Sequence, residues 1–505
     1  GRAFGDEVLS AFKELKEAAD PKSILNPGKM VSTNPSQAVY RLDRDLRYDE
    51  SYQAAAWAPA LDFKQQGEAS GEAGFLGAIE QCNGAGVCRK ADGVMCPSFQ
   101  VTQEEMHSTR GRANLLRAMM TGRFPTQKMS EQAVRAALDL CLACKGCKAE
   151  CPSGVDMAKI KYEFTHHYYR SHRRRLRDYL FGYIGLVAQF GYPFAPIANR
   201  LLANQVISRL GERFIGLDSR RPFPALARRP LRELNQKVND RSSSKRTEAQ
   251  GEPVLFLSDA FTEYFHPETG LAAIRALEAA GCEVRMLPVI GSGRTLISKG
   301  FLDAARTHAQ RLLAATGRLD PEHRLPVVGV EPSEIYTLRD EFRDLFPGDL
   351  EVEALASRAW MVDEFLIRPA PDGRPRLSHL KENTAQDLPR SPGKVLLHGH
   401  CYQKAQPPAA DGYPSGVSAT VTMLESAGYQ VSVIDAGCCG MAGAFGYESE
   451  HYNLSMKVGE LALFPAARAA DQECILAAAG VSCQAQIADG AGRAAVHPVT
   501  LLKNH

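Results

Sequence analysis

"CLACKGCKAECPSG", residues 141–154, sets cysteines at i, i+3, i+6 and i+10 and follows the last with a proline. Thiolates spaced C-x2-C-x2-C-x3-C-P let a looping backbone present three sulfurs to one iron–sulfur cubane while the fourth reaches a second cluster. Cys151 therefore needs a partner set, and "CNGAGVCRKADGVMCPS" at 82–98 supplies Cys82, Cys88 and Cys96, the last again ahead of a proline. The crossing rule assigns Cys141, Cys144, Cys147 and Cys96 to one complete [4Fe-4S] cluster. Cys82, Cys88 and Cys151 form the other set, one thiolate short, because Ala85 stands midway between Cys82 and Cys88. That second cluster is either [3Fe-4S] or a [4Fe-4S] with a non-cysteine or solvent ligand at one iron, and the Asn/Gly-rich loop leaves room for an outside oxygen. Zinc is the competing reading, but zinc sites usually place their CxxC pairs far apart or complete the set with histidine. Seven cysteines in two Pro-terminated groups point to two iron–sulfur clusters and to one-electron transfer.

The bounds agree with such a protein. The chain has 505 residues, 44% of them hydrophobic, which at roughly 150 residues per domain predicts about three domains. A formal net charge of +2 and 23% charged residues exert no global pull toward nucleic acid or anionic lipid, so no nucleic-acid partner is expected. Thirteen cysteines, most of them in CxxC or CC groups, read as metal ligands kept reduced, which predicts a cytoplasmic protein. The opening "GRAFGDEV" has no initiator Met, no positive n-region and no apolar h-region. The expectation is a chain without a signal peptide, cut from something longer.

Residues 6–19, "DEVLSAFKELKEAA", carry helical spacing through Val8, Phe12 and Leu15, and "DPKSILNPGKM" stops the helix. A Gly/Glu-rich tip, "QQGEASGEAG", precedes the first cysteines, and "NDRSSSKRTEAQGEP" at 239–253 has the polarity of an exposed linker. Beyond it, "PVLFLSD" at 253–259, the helical "PETGLAAIRALEAAG" and "CEVRMLPVI" make a strand–helix–strand unit. "KVLLHGH" at 394–400, "ATVTMLESAG" and "YQVSVIDAG" repeat the order. Two α/β units with parallel strands, and so a duplicated domain, are predicted.

The second of these units carries cysteines. Cys401 in "LHGHCYQKA", Cys438 and Cys439 in "DAGCCGMAGAFGY", and Cys483 in "GVSCQAQI" each follow an apolar strand-like run, and loops at the carboxyl ends of parallel strands are where such sheets place ligands. A metal or iron–sulfur centre on these four is expected. Gly440 and Gly443 would allow close backbone approach, and His398 and His400 would donate to the sulfurs from behind. The competing reading is four buried cysteines without a metal.

Cys401, Cys438-Cys439-Gly440 and Cys483 resemble the CCG cysteine-rich domain of heterodisulfide reductase, the glycolate oxidase iron–sulfur subunit and the anaerobic glycerol-3-phosphate dehydrogenase iron–sulfur subunit. A nearer resemblance is to fused D-2-hydroxy-acid dehydrogenases, in which an FAD-linked oxidase half precedes this iron–sulfur half. "FKELKEAADPKSILNPGKM" is similar to the close of the FAD-linked oxidase domain, "CNGAGVC…MCPSFQVTQEEMHSTRGRA" to the first cluster loop, and "FTEYFHPETG" and "LHGHCYQKA" to the repeats. The resemblance implies a mixed fold, an α-helical ferredoxin domain with two Fe–S motifs followed by two α/β CCG-type repeats. The implied order is an oxidase tail at 1–31, a connector at 32–80, the ferredoxin domain at 81–165, a basic helical connector and linker at 166–250, and repeats at 251–390 and 391–505. It further implies FAD in a half not present here, oxidation of D-lactate, D-2-hydroxyglutarate or glycolate there, and electron transfer through the clusters to a quinone or other carrier. No catalytic residue is assigned within this chain. Two rival readings are a heterodisulfide-type thiol–disulfide reductase and a non-redox scaffold holding structural zinc. The first repeat departs from the family pattern, with "VIGSGRTLISKG" at 289–300 in place of a CCG and Glu334 where a cysteine is common. With Cys282 alone it is read as a packing partner.

"YYRSHRRRLRDYLFGYIGLVAQFGYPFAPIANRLL" at 168–202 places five arginines ahead of the uncharged run Tyr179–Asn199. Its glycines and prolines make a poor transmembrane helix. It is read either as a basic apolar surface helix touching the cytoplasmic face of the inner membrane, where a quinone would be met, or as a packed helical connector.

Overall fold

A computed structural model describes residues 5–28, 31, 57–64, 74–242, 251–384 and 393–502. Most of the Gly/Glu-rich tip, most of the polar linker and residues 32–56 of the connector lie outside them. Gly1–Ala56 and Trp57–His505 are separate units. In the first, the expected helix runs Gly5–Ala19 and ends where Asp20 pairs with Lys16 at 2.6 Å and accepts from the amides of Ile24 and Leu25 at 2.9 and 2.8 Å. Its apolar residues Val8, Phe12 and Leu15 are exposed.

The second unit begins with a helical region around the N-terminal cysteines. Helices Pro97–Thr102, Thr109–Met120, Gln127–Asp139 and Met157–Ser171 surround the cysteine loops, and Ile79, Leu116, Val134, Leu138, Ile160 and Tyr162 fill the space between them. Ser108, Thr126 and Asp156 cap three of these helices by accepting from the amides of Gly111, Met129 and Lys159, which supplies partners for donors a helix start otherwise leaves free.

Two small parallel sheets follow. Strands β1 (Glu252–Phe256), β2 (Cys282–Met286), β3 (Val327–Gly329) and β4 (Ala359–Met361) pair in the order β2-β1-β3-β4. Strands β5 (Lys394–His398), β6 (Gln430–Val433) and β7 (Ile475–Ala478) pair as β6-β5-β7. All pairings within the sheets are parallel. In each sheet the first strand in the chain lies between the second and the third, so both units use the same winding. The strands predicted at 253–259, 282–290, 394–400 and 429–437 are β1, β2, β5 and β6. One apolar core, with Val254 and Phe256 of β1 and Val395 and Leu397 of β5, serves both sheets.

Between the helical region and the sheets lie the short helices Leu176–Gly182, Ile184–Gly191, Ala195–Leu202 and Gln205–Ile215. Among the described residues no single helix is long and apolar enough to cross a membrane, and the pair Leu176–Gly182 and Ile184–Leu202 is bent by 78°. Gly182 lets the chain press on Phe301, whose ring would lie 2.8 Å from a Cβ there.

Candidate metal centres

None of the thirteen cysteines is tied up in a disulfide. Cys96, Cys141, Cys144 and Cys147 line one cavity, together with Thr109, Arg112, Leu142 and Lys145. The backbone that presents them is unusual: Cys96, Ala143 and Lys145 adopt φ of 50°, 50° and 58°. Non-glycine residues enter this left-handed region rarely, and clustering of such strain marks a functional loop. Gly146 is required in the same loop, because a Cβ there would meet the Val94 carbonyl oxygen at 2.6 Å.

Cys82, Cys88 and Cys151 gather beside this cavity: burial raises the Cys82 thiol, and the nearby Cys88 and Cys151 sulfurs raise it a little further. The two sets meet where Cys88 contacts Cys96. Both lie at the start of helix Thr109–Met120: the Thr109 amide donates to Cys96 Sγ at 3.1 Å and the Arg110 amide to Cys88 Sγ at 3.4 Å. A helix N-terminus favours thiolate. The Cys88 thiol is lowered to about 6, chiefly by its contact with Cys96 and, against the cost of burial, by the Arg110 amide. Cys147, deeper, is pushed up to about 12 by burial. Ala85 is exposed in its loop, and the Asn83 side-chain oxygen accepts from the Ala85 amide at 3.0 Å.

Cations stand around the four-cysteine cavity. Arg112, buried, donates to the Ala137 carbonyl and to Ser98 Oγ, each at 2.8 Å. Lys161 donates to the Cys141 carbonyl at 2.5 Å. Lys145 pairs with Asp340 and Glu341 at 2.5 and 2.8 Å; burial works to discharge it, but the two carboxylates outweigh that and hold it charged. Fixed positive charge of this kind suits a site whose ligands are thiolates.

The four C-terminal cysteines also converge. Cys401 opens the short helix after β5, Cys438 and Cys439 lie in the loop after β6, and Cys483 sits in the first turn of helix Val481–Ala491 after β7. Cys438 contacts Cys401 and Cys439, and Cys439 contacts Cys483 and His398. Gly440, at φ 95°, could not carry a Cβ, which would run into the Ser455 carbonyl oxygen. Gly443 has open space around it, so the close-approach reading holds for Gly440 through a backbone neighbour and does not extend to Gly443. Of the two histidines expected behind the sulfurs, His400 caps its own helix, its Nδ1 accepting from the Tyr402 amide at 3.2 Å, whereas His398 faces Cys439.

Sequence reasoning missed how the two centres abut. Leu140, Leu142 and Cys144 pack in one cluster with Cys401, Cys438 and Phe445. Tyr402, next to Cys401, donates to the Ala143 carbonyl at 3.2 Å and contacts the Tyr162 hydroxyl at 3.2 Å. His451 reaches back to Asp139 at 2.9 Å. Nothing in the spacing of the motifs signals these contacts.

In the first α/β repeat, strands β1 to β4, the corresponding loops hold no cysteines. Asp259 follows β1, Ser292 lies in the loop after β2, and Glu331 and Glu334 follow β3. Glu334 accepts from the Ser292 amide at 2.6 Å; burial, reinforced by Asp259, pushes its carboxyl up to about 7. Cys282 sits apart at the start of β2.

Residues 78–155 match the 4Fe-4S dicluster domain. This dicluster domain takes in all seven N-terminal cysteines. The whole chain is similar to D-2-hydroxyglutarate dehydrogenase of Escherichia coli (strain K12), 26% identical over 99% of this chain and 49% of that protein. It is also similar to one component of the anaerobic glycerol-3-phosphate dehydrogenase of the same organism, 25% identical over 69% of this chain and 80% of that protein. The E. coli glycolate oxidase iron–sulfur subunit is 34% identical over 15% of this chain and 17% of its own length. The chain spans about half the length of the D-2-hydroxyglutarate dehydrogenases it matches. Relatives that extend on either side of the dicluster domain are thus named dehydrogenases, which are oxidoreductases.

Proposed function

We propose that this chain is the iron–sulfur electron-transfer portion of an FAD-dependent D-2-hydroxy-acid dehydrogenase, with D-2-hydroxyglutarate the favoured substrate of the whole enzyme. The observation that carries the reading is the convergence of Cys96, Cys141, Cys144 and Cys147 on one cavity, with Cys82, Cys88 and Cys151 beside it, inside a dicluster domain. Similarity to D-2-hydroxyglutarate dehydrogenases along nearly the full chain supports the substrate. Iron–sulfur clusters, when bound, supply one-electron carriage. The chain's own residues do the rest. The four cavity cysteines fit a [4Fe-4S] set, the other three a [4Fe-4S] or [3Fe-4S] set. Thr109 and Arg110 donate backbone N–H groups to the sulfurs, and Arg112, Lys145 and Lys161 offset thiolate charge. Leu142, Phe445 and Val458 keep water from the Cys144 side.

The partners follow from the same reading. An FAD-linked oxidase portion, with residues 1–31 as its closing tail, would oxidise the hydroxy acid. The apolar face of residues 184–215 would rest on the cytoplasmic face of an anionic membrane, where a quinone is the acceptor. Phe190, Phe194, Ile197, Val206, Leu210 and Phe214 are exposed there, with Arg200, Arg209 and Arg213 exposed among them, the composition of an interfacial surface.

The test is electron paramagnetic resonance on protein purified without oxygen, oxidised and then reduced with dithionite, with iron counted on the same sample. Two interacting signals on reduction are expected; absence of iron from a folded sample overturns the reading. An additional signal in the oxidised state that vanishes on reduction identifies [3Fe-4S] at Cys82, Cys88 and Cys151.

A further inference from the structure

We propose that Arg112 is a fixed counter-ion for the cluster held by Cys96, Cys141, Cys144 and Cys147, and that its charge raises that cluster's reduction potential. The proposal rests on the reading that these four cysteines bind a [4Fe-4S] cluster, and it singles out one cation among those that stand around them.

Arg112 lies one helical turn after Thr109, whose amide donates to Cys96 Sγ at 3.1 Å. Residues three apart share a helix face, and both line the four-cysteine cavity. Arg112 is 2% exposed, and its hydrogen bonds go to neutral acceptors, the Ala137 carbonyl and Ser98 Oγ. Ser98 in turn donates to the His107 carbonyl at 3.1 Å. Among the described residues no carboxylate pairs with Arg112. Asp139, two residues past Ala137, is taken by His451 at 2.9 Å and by Arg135 at 3.3 Å. A guanidinium keeps its charge in proteins, and a buried charge without an opposite one is costly. The arrangement therefore calls for an anion that the chain does not supply, and a cluster bound by four thiolates is one.

The other cations differ. Lys145, the second cation lining the cavity, is matched by Asp340 and Glu341. Lys161 donates to the carbonyls of Cys141 and Asp139 and does not line the cavity. Beside the three-cysteine set, Arg110 pairs with Glu105 and Arg117 with Glu80, each at 2.8 Å. Arg112 thus places uncompensated charge at one of the two sites. Net charge is one of the quantities that set a cluster's potential. The oxidised cluster takes up one electron from the flavin of the oxidase portion, no proton moves at Arg112, and the guanidinium stabilises the added negative charge. An electron shared between the two sites is biased toward the four-cysteine one.

The test is a redox titration of the whole chain, purified without oxygen and followed by electron paramagnetic resonance, with iron counted on each sample. Cys82→Ser alters the signal of the three-cysteine set and so tells the two apart. Arg112→Gln should shift the reduction equilibrium of the four-cysteine cluster at least about tenfold toward the oxidised form, about 59 mV lower for a one-electron couple, and should move the other cluster less. Arg112→Lys, which keeps the charge, should stay within about threefold of the unaltered protein. Ser98→Asp leaves Arg112 in place and sets a carboxylate against it, so it should lower the potential as Arg112→Gln does, even where the latter loses iron. An unchanged potential in both Arg112→Gln and Ser98→Asp, or equal shifts in Arg112→Gln and Arg112→Lys, would overturn the role of Arg112 alone. Absence of iron from the folded, unaltered chain would overturn the cluster reading beneath it.

Discussion

The Lys145 ammonium lies 2.8 Å from a Glu341 carboxylate oxygen, which fastens the loop between Cys144 and Cys147 to the first α/β unit. Lys145 is almost fully buried, and Glu341 is shared with Arg294 at 2.8 Å. Removing one partner of a buried pair leaves charge without compensation and typically costs about 3–5 kcal/mol. Lys145→Met should lower unfolding stability by that order in a denaturant titration. Lys148→Met, whose partly exposed ammonium pairs with the same Asp340 at 2.6 Å, should cost below about 1 kcal/mol. Equal losses would show that burial at Lys145 is not what makes the contact matter.

The three-cysteine set can be completed by design. Ala85 lies in the loop midway in sequence between Cys82 and Cys88. Ala85→Cys should yield a site bound by four thiolates and silent in electron paramagnetic resonance when oxidised. An oxidised-state signal persisting unchanged in the variant would mean that position 85 does not face the site.

Glu334 sets a pH dependence. A glutamate titrates near about 4.3 in an unfolded chain, whereas burial raises it to about 7 in the folded protein. A raised folded value favours the protonated, folded form at low pH. The contribution is therefore whole below about pH 4 and is lost as the pH rises through 7. The loss is at most on the order of 4 kcal/mol. Glu334→Gln, which keeps an acceptor for Ser292, should raise the melting temperature at pH 8 and leave it nearly unchanged at pH 4.5. Part of the decline should survive, since burial also raises Asp363 to about 7. A uniform shift at both pH values would remove titration as the cause.

The surface at 184–215 makes a binding prediction. Val206, Ile207, Leu210 and Phe214 share one face of helix Gln205–Ile215, which buries none of its residues. Vesicles rich in anionic lipid should cosediment with the protein, less so as salt rises. Phe190→Glu with Phe214→Glu should weaken this at least about tenfold. Undiminished binding by the double variant would place the contact elsewhere.

How much of this was legible beforehand depends on sequence distance. The dicluster cysteines could be recognised because their spacing is short and each group ends in a proline. The strands β1, β2, β5 and β6 could be found because each is a continuous apolar run beside a helical pattern, whereas β3 and β4, three residues each, carry too few positions to show a period. The meeting of Cys144 with Cys401, the pairing of Lys145 with Asp340 and Glu341, and the aim of His398 all depend on how units distant in the chain pack. A lone histidine at a strand end carries no signal of what it faces. The carboxylates that stand where the first α/β repeat lacks cysteines were visible only as Glu334, because the placing of Asp259 and Glu331 needs the sheet.

The seam where Leu142 and Cys144 meet Cys401, Cys438 and Phe445 has a consequence for biogenesis. An iron–sulfur assembly machine needs open access to Cys96, Cys141, Cys144 and Cys147, and the closed seam denies it on one side. Synthesis runs from the N-terminus, and domains fold broadly in the order in which they emerge. The cysteines that receive iron are thus made first and the loops that cover them last, so the chain is delivered in the sequence in which its site can be loaded and then sealed.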